Sequence, residues 1–407
     1  MNIFTIVYLI MFFFGIFFIL IFFFIQKRYE DKLFDFPKII KYYSISFLVP
    51  AYNEEDSIEN TVRALMNLKY PKGKIEIIII NDGSKDNTLS VAKALAKKYD
   101  NVYVLNKENS GKANSLNEAI KIAKGELIAV VDADSYPKND SVSKMIGYFD
   151  DPKVAAVTSR VLVKNKENWL CRFQILDYGI IAWTRKLLDF VNAVYVTNGP
   201  LSIYRKSIVK KVGGFDPKNL TEDIEITWNI LSRGYQTRMS YGAIVYTIVP
   251  KNLKVWVKQR VRWNLGGIQT VHKYWRAMFK KGAFGYFIIP YVSASFILAI
   301  IGFMLLIRYF WITGTYYLSS LYYYFQGYDP FLNFDFNFYL TLLFVFGAIF
   351  FCLAIWYYKI GFKQSESKSE SLKKILIYSF IYRSLYIVPL IIAFYKLAKR
   401  DIRWYTK

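Results

Sequence analysis

The spacing of apolar and polar residues changes several times along this chain, and each change predicts a different element. Residues 3–25 carry no charged side chain and are mostly Phe, Ile and Leu. As a helix, a run of that length spans the ~30 Å hydrocarbon core of a bilayer. A cleaved signal peptide would start basic and end on small residues, and this segment does neither. From residue 44 the apolar positions fall into short runs, Ile45–Val49, Ile75–Ile80, Val102–Leu105 and Leu127–Val131, rich in β-branched residues. These predict buried strands. Between them Glu55–Leu68, Asp86–Tyr99 and Ala113–Lys124 repeat with a helical period. Strand alternating with helix predicts an α/β domain over residues 44–250, built on a doubly wound, mostly parallel sheet.

Beyond residue 250 the pattern changes again. Residues 252–282 are basic and hold Trp256, Trp263 and Trp275, which suits helices lying at a membrane surface. Phe284–Ile307 and Phe338–Tyr358 are uncharged and long enough to span. Four regions follow: an N-terminal transmembrane helix at 1–28, the α/β domain at 44–250, interfacial helices at 251–282, and a transmembrane region with a basic tail at 283–407. Gln26-Lys27-Arg28 places the α/β domain in the cytoplasm, and five lysines in 359–374 place that loop there too. Three spans after the α/β domain would then put the basic tail 396–407 outside, against the positive-inside tendency. Either 375–395, apolar except for Arg383, is re-entrant or interfacial, or Tyr309–Phe325 adds a span; the first is preferred.

Composition agrees with a membrane protein. Hydrophobic residues make up 54% of the chain, aromatics 19%, and the net charge is +23. Such charge beside apolar runs marks a cytoplasmic membrane face and binding to membrane lipids rather than to nucleic acid. With one histidine and two cysteines, a His-rich zinc site is excluded and no disulfide framework is expected. A catalytic metal would need carboxylates, which favour Mg2+ or Mn2+.

Five short motifs hold candidate chemistry. Asp82, in Asn81-Asp82-Gly83-Ser84, ends a strand where open α/β sheets bind ligands. Tyr52 and Glu54 add an aromatic face and a second carboxylate at the same sheet edge. Asp132 and Asp134 flank Ala133; in an extended segment residues two apart share a face, so both could hold a divalent ion against a diphosphate. Asn198-Gly199 is the third motif. Thr221-Glu222-Asp223 reads as a helix start with an N-cap threonine or as the site of a general base. Gln259, Arg260, Arg262 and Trp263 sit on the basic surface helix, where arginine suits phosphate and tryptophan suits stacking on a sugar ring. Taken singly, each also has a plain structural reading as a turn, a polar strand end, a helix cap or a membrane-surface helix.

In this order and spacing the motifs resemble those of processive family-2 glycosyltransferases, above all the poly-β-1,6-N-acetylglucosamine synthases. Thr221–Tyr235 and Val249–Gly267 carry the strongest similarity. The resemblance implies a GT-A type, Rossmann-like domain inserted between transmembrane helices of a multi-pass plasma-membrane enzyme. It implies that Tyr52, Glu54, Asp82, Lys112, Asp132 and Arg262 bind a UDP-sugar, that Asp134 and Asp132 hold Mg2+ or Mn2+, and that Asp223 is the base, supported by Glu222. Trp263, Gln259, Asn198 and Gly199 would bind the acceptor. The tail 403–407 faintly resembles the cytoplasmic ending of hyaluronan synthases. The implied reaction is inverting polymerisation of a β-linked polysaccharide from UDP-N-acetylglucosamine, with export. The alternative is transfer of one sugar to a polyprenyl phosphate lipid. With few spans, a small membrane subunit or a second copy of the chain would complete the channel.

Overall fold

The computed structural model describes residues 3–280, 282–327, 338–364 and 371–399. Helix α1 (Ile3–Tyr29) leads into strand β1 (Ile45–Ala51), α2 (Ile58–Met66), β2 (Ile75–Asp82), α3 (Thr88–Lys98), β3 (Val102–Lys107), α4 (Lys112–Ile122) and β4 (Leu127–Val130). Then come β5 (Ser135–Pro137), α5 (Ser143–Ile146), β6 (Val154–Val163), α6 (Trp169–Asp189), β7 (Ser202–Arg205), α7 (Lys206–Val212), α8 (Glu222–Ser232) and β8 (Gln236–Thr247). The chain continues through α9 (Leu253–Tyr274), α10 (Ile289–Phe325), α11 (Phe338–Gln364), α12 (Leu372–Ile377) and α13 (Ile387–Ala398).

The eight strands form one sheet in the order β3-β2-β1-β4-β7-β6-β8-β5. Period-two alternation sends consecutive side chains to opposite faces. Phe47, Val49, Ile77 and Ile79 therefore join the core on one side, while Leu48, Ile78 and Ile80 join the core on the other. Both faces of β1 and β2 are covered, which is why these strands read as unbroken apolar runs. The sheet is parallel across β3-β2-β1-β4, as the strand–helix alternation predicts. The other half is mixed. β7 runs antiparallel to both β4 and β6, β5 runs antiparallel to β8, and β6 and β8 are parallel. The three residues of β5 are too few to register as a strand by pattern. β1 lies between β2 and β4, so the order reverses there, and a crevice opens above the carboxyl ends of β1 and β4.

Among the described residues, four helical stretches are long and apolar enough to cross a membrane: Ile3–Lys32, Phe284–Phe325, Val345–Lys363 and Leu372–Ala398. Tyr309–Phe325 is not a separate span, because α10 runs unbroken through it. The 375–395 segment is interrupted by a π turn at Tyr378–Tyr382 and a 3-10 turn at Ser384–Tyr386, and α13 packs on α9. The tail 403–407 lies outside the described residues.

Helix α9 is amphipathic, with Leu253 and Val255 exposed on one side. One face is buried, with Trp256 fully covered and Arg260 1% exposed. At 100° per residue, Arg260 shares its face with Trp256 and Trp263, and that face packs inward.

Candidate active site

The crevice is lined from the sheet upward. Asp82 ends β2 and is 5% exposed. Its Oδ1 accepts from Lys107 Nζ at 2.9 Å and from the Ser110 amide at 3.0 Å, and its Oδ2 accepts from the Gly111 amide at 2.9 Å. Burial works against ionisation of Asp82, but Lys107 and the amides outweigh it and hold its pKa below the usual carboxylate value. Both oxygens thus organise the loop that leads into α4. Tyr52 and Glu54 follow β1, half-buried at the same edge. The Ser57 hydroxyl donates to Glu54 Oε2 at 2.8 Å.

Lys112, the first residue of α4, joins two of the motifs. Its Nζ lies 2.6 Å from Asp132 Oδ1 and 2.8 Å from Glu222 Oε1. Burial opposes its charge, but the two carboxylates outweigh this and raise its pKa. Gly199 abuts the same pair. A Cβ there would sit 2.7 Å from Asp132 Oδ2 and 3.0 Å from Lys112 Nζ. Asn198 is 8% exposed, donates to the Ser159 carbonyl at 3.0 Å, and leaves its buried Oδ1 without a partner. Gly199→Ala should therefore displace the Lys112–Asp132 pair without unfolding the domain. We expect turnover to fall roughly tenfold, ~1.4 kcal/mol of barrier, with the melting temperature nearly unchanged. Initial rates and a thermal scan check this, and wild-type turnover would refute the steric reading.

Asp132 and Asp134 are both half-exposed, but not because the segment is extended. Residues 132–135 form a turn closed by the Ser135 amide on the Asp132 carbonyl at 3.0 Å. Among the described residues no group of three or more His, Cys, Asp or Glu side chains could hold a metal. Two carboxylates at one turn fit Mg2+ or Mn2+ all the same, since such ions take one or two protein carboxylates and complete their shell with phosphate and water.

Glu222 and Asp223 start α8. Thr221 does not cap the helix through its side chain; its hydroxyl donates instead to Asn219 Oδ1 at 3.1 Å. Burial raises the pKa of Glu222, but Lys112 and Arg262 outweigh it and leave the group more acidic than usual. Asp223 is half-exposed, and burial together with the adjacent Glu222 charge lifts its pKa to about 6. The two adjacent acids are thus pushed apart, one held ionised and one raised toward neutrality, the kind of division that acid–base chemistry uses.

Helix α9 closes the site. A Cβ on Gly266 would collide with the Thr221 side chain, so this glycine lets α9 lie directly against the start of α8. Arg262 donates to the Leu220 carbonyl at 3.2 Å, and its charge acts on both Glu222 and Asp223. Gln259 is half-buried and accepts from Arg260 at 3.4 Å. Trp263 borders a cavity of about 200 Å³ that is also lined by Tyr195, Ile224, Trp228, Tyr291 and Phe296. Tyr195 lies between α6 and β7, Ile224 and Trp228 on α8, and Tyr291 and Phe296 on α10, so no single stretch of sequence singles the cavity out.

The strand order and the crevice at its reversal are those of the GT-A fold. The solved mannosyltransferase PcManGT from Pyrobaculum calidifontis, determined with GDP-Man and Mn2+, superposes with a TM-score of 0.57 over 86% of this chain and 98% of that one, at 20% identity. Residues 46–213 match the family model Glycosyl transferase family 2, and the chain carries that domain. It is 36% identical over 249 residues to the poly-beta-1,6-N-acetyl-D-glucosamine synthase of Staphylococcus aureus strain MSSA476, covering 61% of this chain and 60% of that protein. The corresponding synthase of Staphylococcus epidermidis is 36% identical over 229 residues, covering 56% and 55%. The chain thus spans about 60% of the length of these relatives.

Proposed function

We propose that the chain is an inverting, processive, membrane-embedded glycosyltransferase that builds a β-linked polysaccharide from UDP-N-acetylglucosamine and exports it. The observation that carries this is the placement of Asp223: a half-exposed carboxylate with a pKa near 6, between the Lys112–Glu222 pair and the aromatic cavity at Trp263. The sugar nucleotide lies over the carboxyl ends of β1, β2 and β4, against Tyr52, Glu54, Asp82, Lys112 and Asp132. Asp132 and Asp134 would hold Mg2+ or Mn2+, whose charge offsets that of the departing UDP. Arg262 binds the diphosphate. The acceptor sugar stacks on Trp263, with Gln259 and Asn198-Gly199 beside it. Its hydroxyl oxygen bonds to the anomeric carbon as the bond to UDP breaks, and Asp223 takes the hydroxyl proton. An α-linked donor then gives a β-linked product. The catalytic domain faces the cytoplasm, where UDP-sugars are found.

Incubation of the purified protein in lipid with labelled UDP-sugars, followed by product sizing, tests the proposal. A polymer of N-acetylglucosamine is expected. A lipid-linked monosaccharide would replace this reading with single-sugar transfer to a polyprenyl phosphate.

A base with its pKa near 6 must be ionised to act. Rate should therefore fall as pH drops through 6, approaching tenfold per unit below it. Glu222→Gln removes the negative charge that helps raise Asp223, so in the residual activity this acid limb should move to lower pH. A pH–rate profile of both proteins decides it, and an unmoved limb would exclude the coupling.

A further inference from the structure

Asp177 lies on α6, outside every motif assigned above, and is 1% exposed. An ionised carboxylate so buried is costly unless it is paired, and five donors from two distant parts of the chain meet it. From α9, Arg260 Nη2 approaches its Oδ2 at 3.5 Å. From the C-terminal segment, Tyr378 donates to Oδ1 at 3.0 Å, Arg383 lies 3.5 Å from Oδ1, Tyr382 donates to Oδ2 at 3.4 Å, and Tyr386 also donates to Oδ2. The Arg260 guanidinium in turn lies 3.8 Å from the centre of the Trp263 ring. Trp256, one helical turn before Arg260, donates its indole N–H to Tyr382 at 3.3 Å. A single carboxylate of the α/β domain thus joins the C-terminal helical segment to the face of α9 from which Trp263 projects.

We propose that Asp177 is a positioning residue. It fixes Arg260 against Trp263 and locks residues 378–386 onto α9, so that the orientation of the acceptor platform depends on how the C-terminal segment is seated. The proposal rests on the acceptor role given to Trp263. Asp177 touches neither nucleotide nor acceptor and acts through Arg260. Cation–ring attraction of this kind is directional, and it strengthens where water is excluded; the buried counter-charge of Asp177 determines where the guanidinium sits.

Asp177→Asn keeps shape and one acceptor oxygen but removes the charge that both arginines face. We expect at least a tenfold loss in polymer synthesis, with UDP-N-acetylglucosamine affinity within twofold of wild type. Deuterium uptake should rise over residues 256–270 and 378–386 and stay unchanged over β1. Tyr386→Phe deletes one hydroxyl without a charge change and should move every readout the same way, by roughly threefold in rate. It decides the matter alone if Asp177→Asn does not fold. Wild-type polymer length and rate in the variant that folds would overturn the proposal. So would donor affinity falling in step with rate, which marks general damage. Should the wild type prove to transfer only one sugar, the polymerase reading fails by itself. The exchange experiment still tests the linkage, and unchanged uptake over 256–270 would overturn it.

Discussion

Asp223→Asn should reduce sugar transfer by ~10²–10⁴, the range expected when a positioned general base is lost, while UDP-sugar binding stays within a few-fold. The reason is local. Asparagine occupies the same space at the second position of α8 but cannot accept the acceptor proton at neutral pH. The Lys112 bridge between Asp132 and Glu222 does not involve Asp223, so the donor side of the crevice keeps its shape. Fold is preserved because Asp223 is only half-buried, and its Oδ1 accepts from the amide of Ile224 at 2.9 Å; asparagine can accept that bond too. Initial rates beside a nucleotide titration give the answer, and a variant turning over at the wild-type rate would remove Asp223 from the mechanism.

Chelation should have an effect of similar size. Excess chelator is expected to abolish transfer, and Mg2+ or Mn2+ to restore it. In Asp134→Ala the added ion should fail to rescue. Both carboxylates of the pair stand half-exposed at a tight turn beside the crevice, and they are hard oxygen donors. Rate measured against free metal concentration tests this, and full activity in excess chelator would contradict it.

Much of the site was legible because acids follow runs of β-branched residues. Ile75–Ile80 predicts a strand, and Asp82 falls at its end. Leu127–Val131 likewise delivers Asp132 to the crevice. Helical periodicity from Ala113 falls one residue inside the start of α4 at Lys112, and the helix-start reading of Thr221-Glu222-Asp223 matches the start of α8 at Glu222. What pattern could not reveal is which partners fold brings together. Lys112 reaches Glu222 across 110 residues of chain, and nothing local to either records the pairing. Arg260 and Arg262 belong to one basic stretch of sequence, yet two residues apart on a helix point nearly opposite ways, and Arg260 is buried. Nor does pattern reveal that the Asp82 oxygens hold the loop before α4. The Asp132-Ala133-Asp134 pair shares an edge through a turn, not through strand alternation. In the membrane region, Arg308 splits the hydropathy of α10 into two apparent pieces. The helix continues because one arginine among aromatic residues does not terminate helical hydrogen bonding.

Strand β8 pairs along the full length of β6 on one side and with β5 on the other. The family match ends at residue 213, before β8 begins at Gln236. A polypeptide cut at that limit would keep the crevice residues of β1, β2 and β4 but lose Glu222 and Asp223. It would also leave ten residues of β6 with an open row of backbone donors and acceptors, a template for pairing with other chains. The smallest piece that keeps the whole sheet therefore extends through Thr247. The family match alone would draw its boundary inside the sheet.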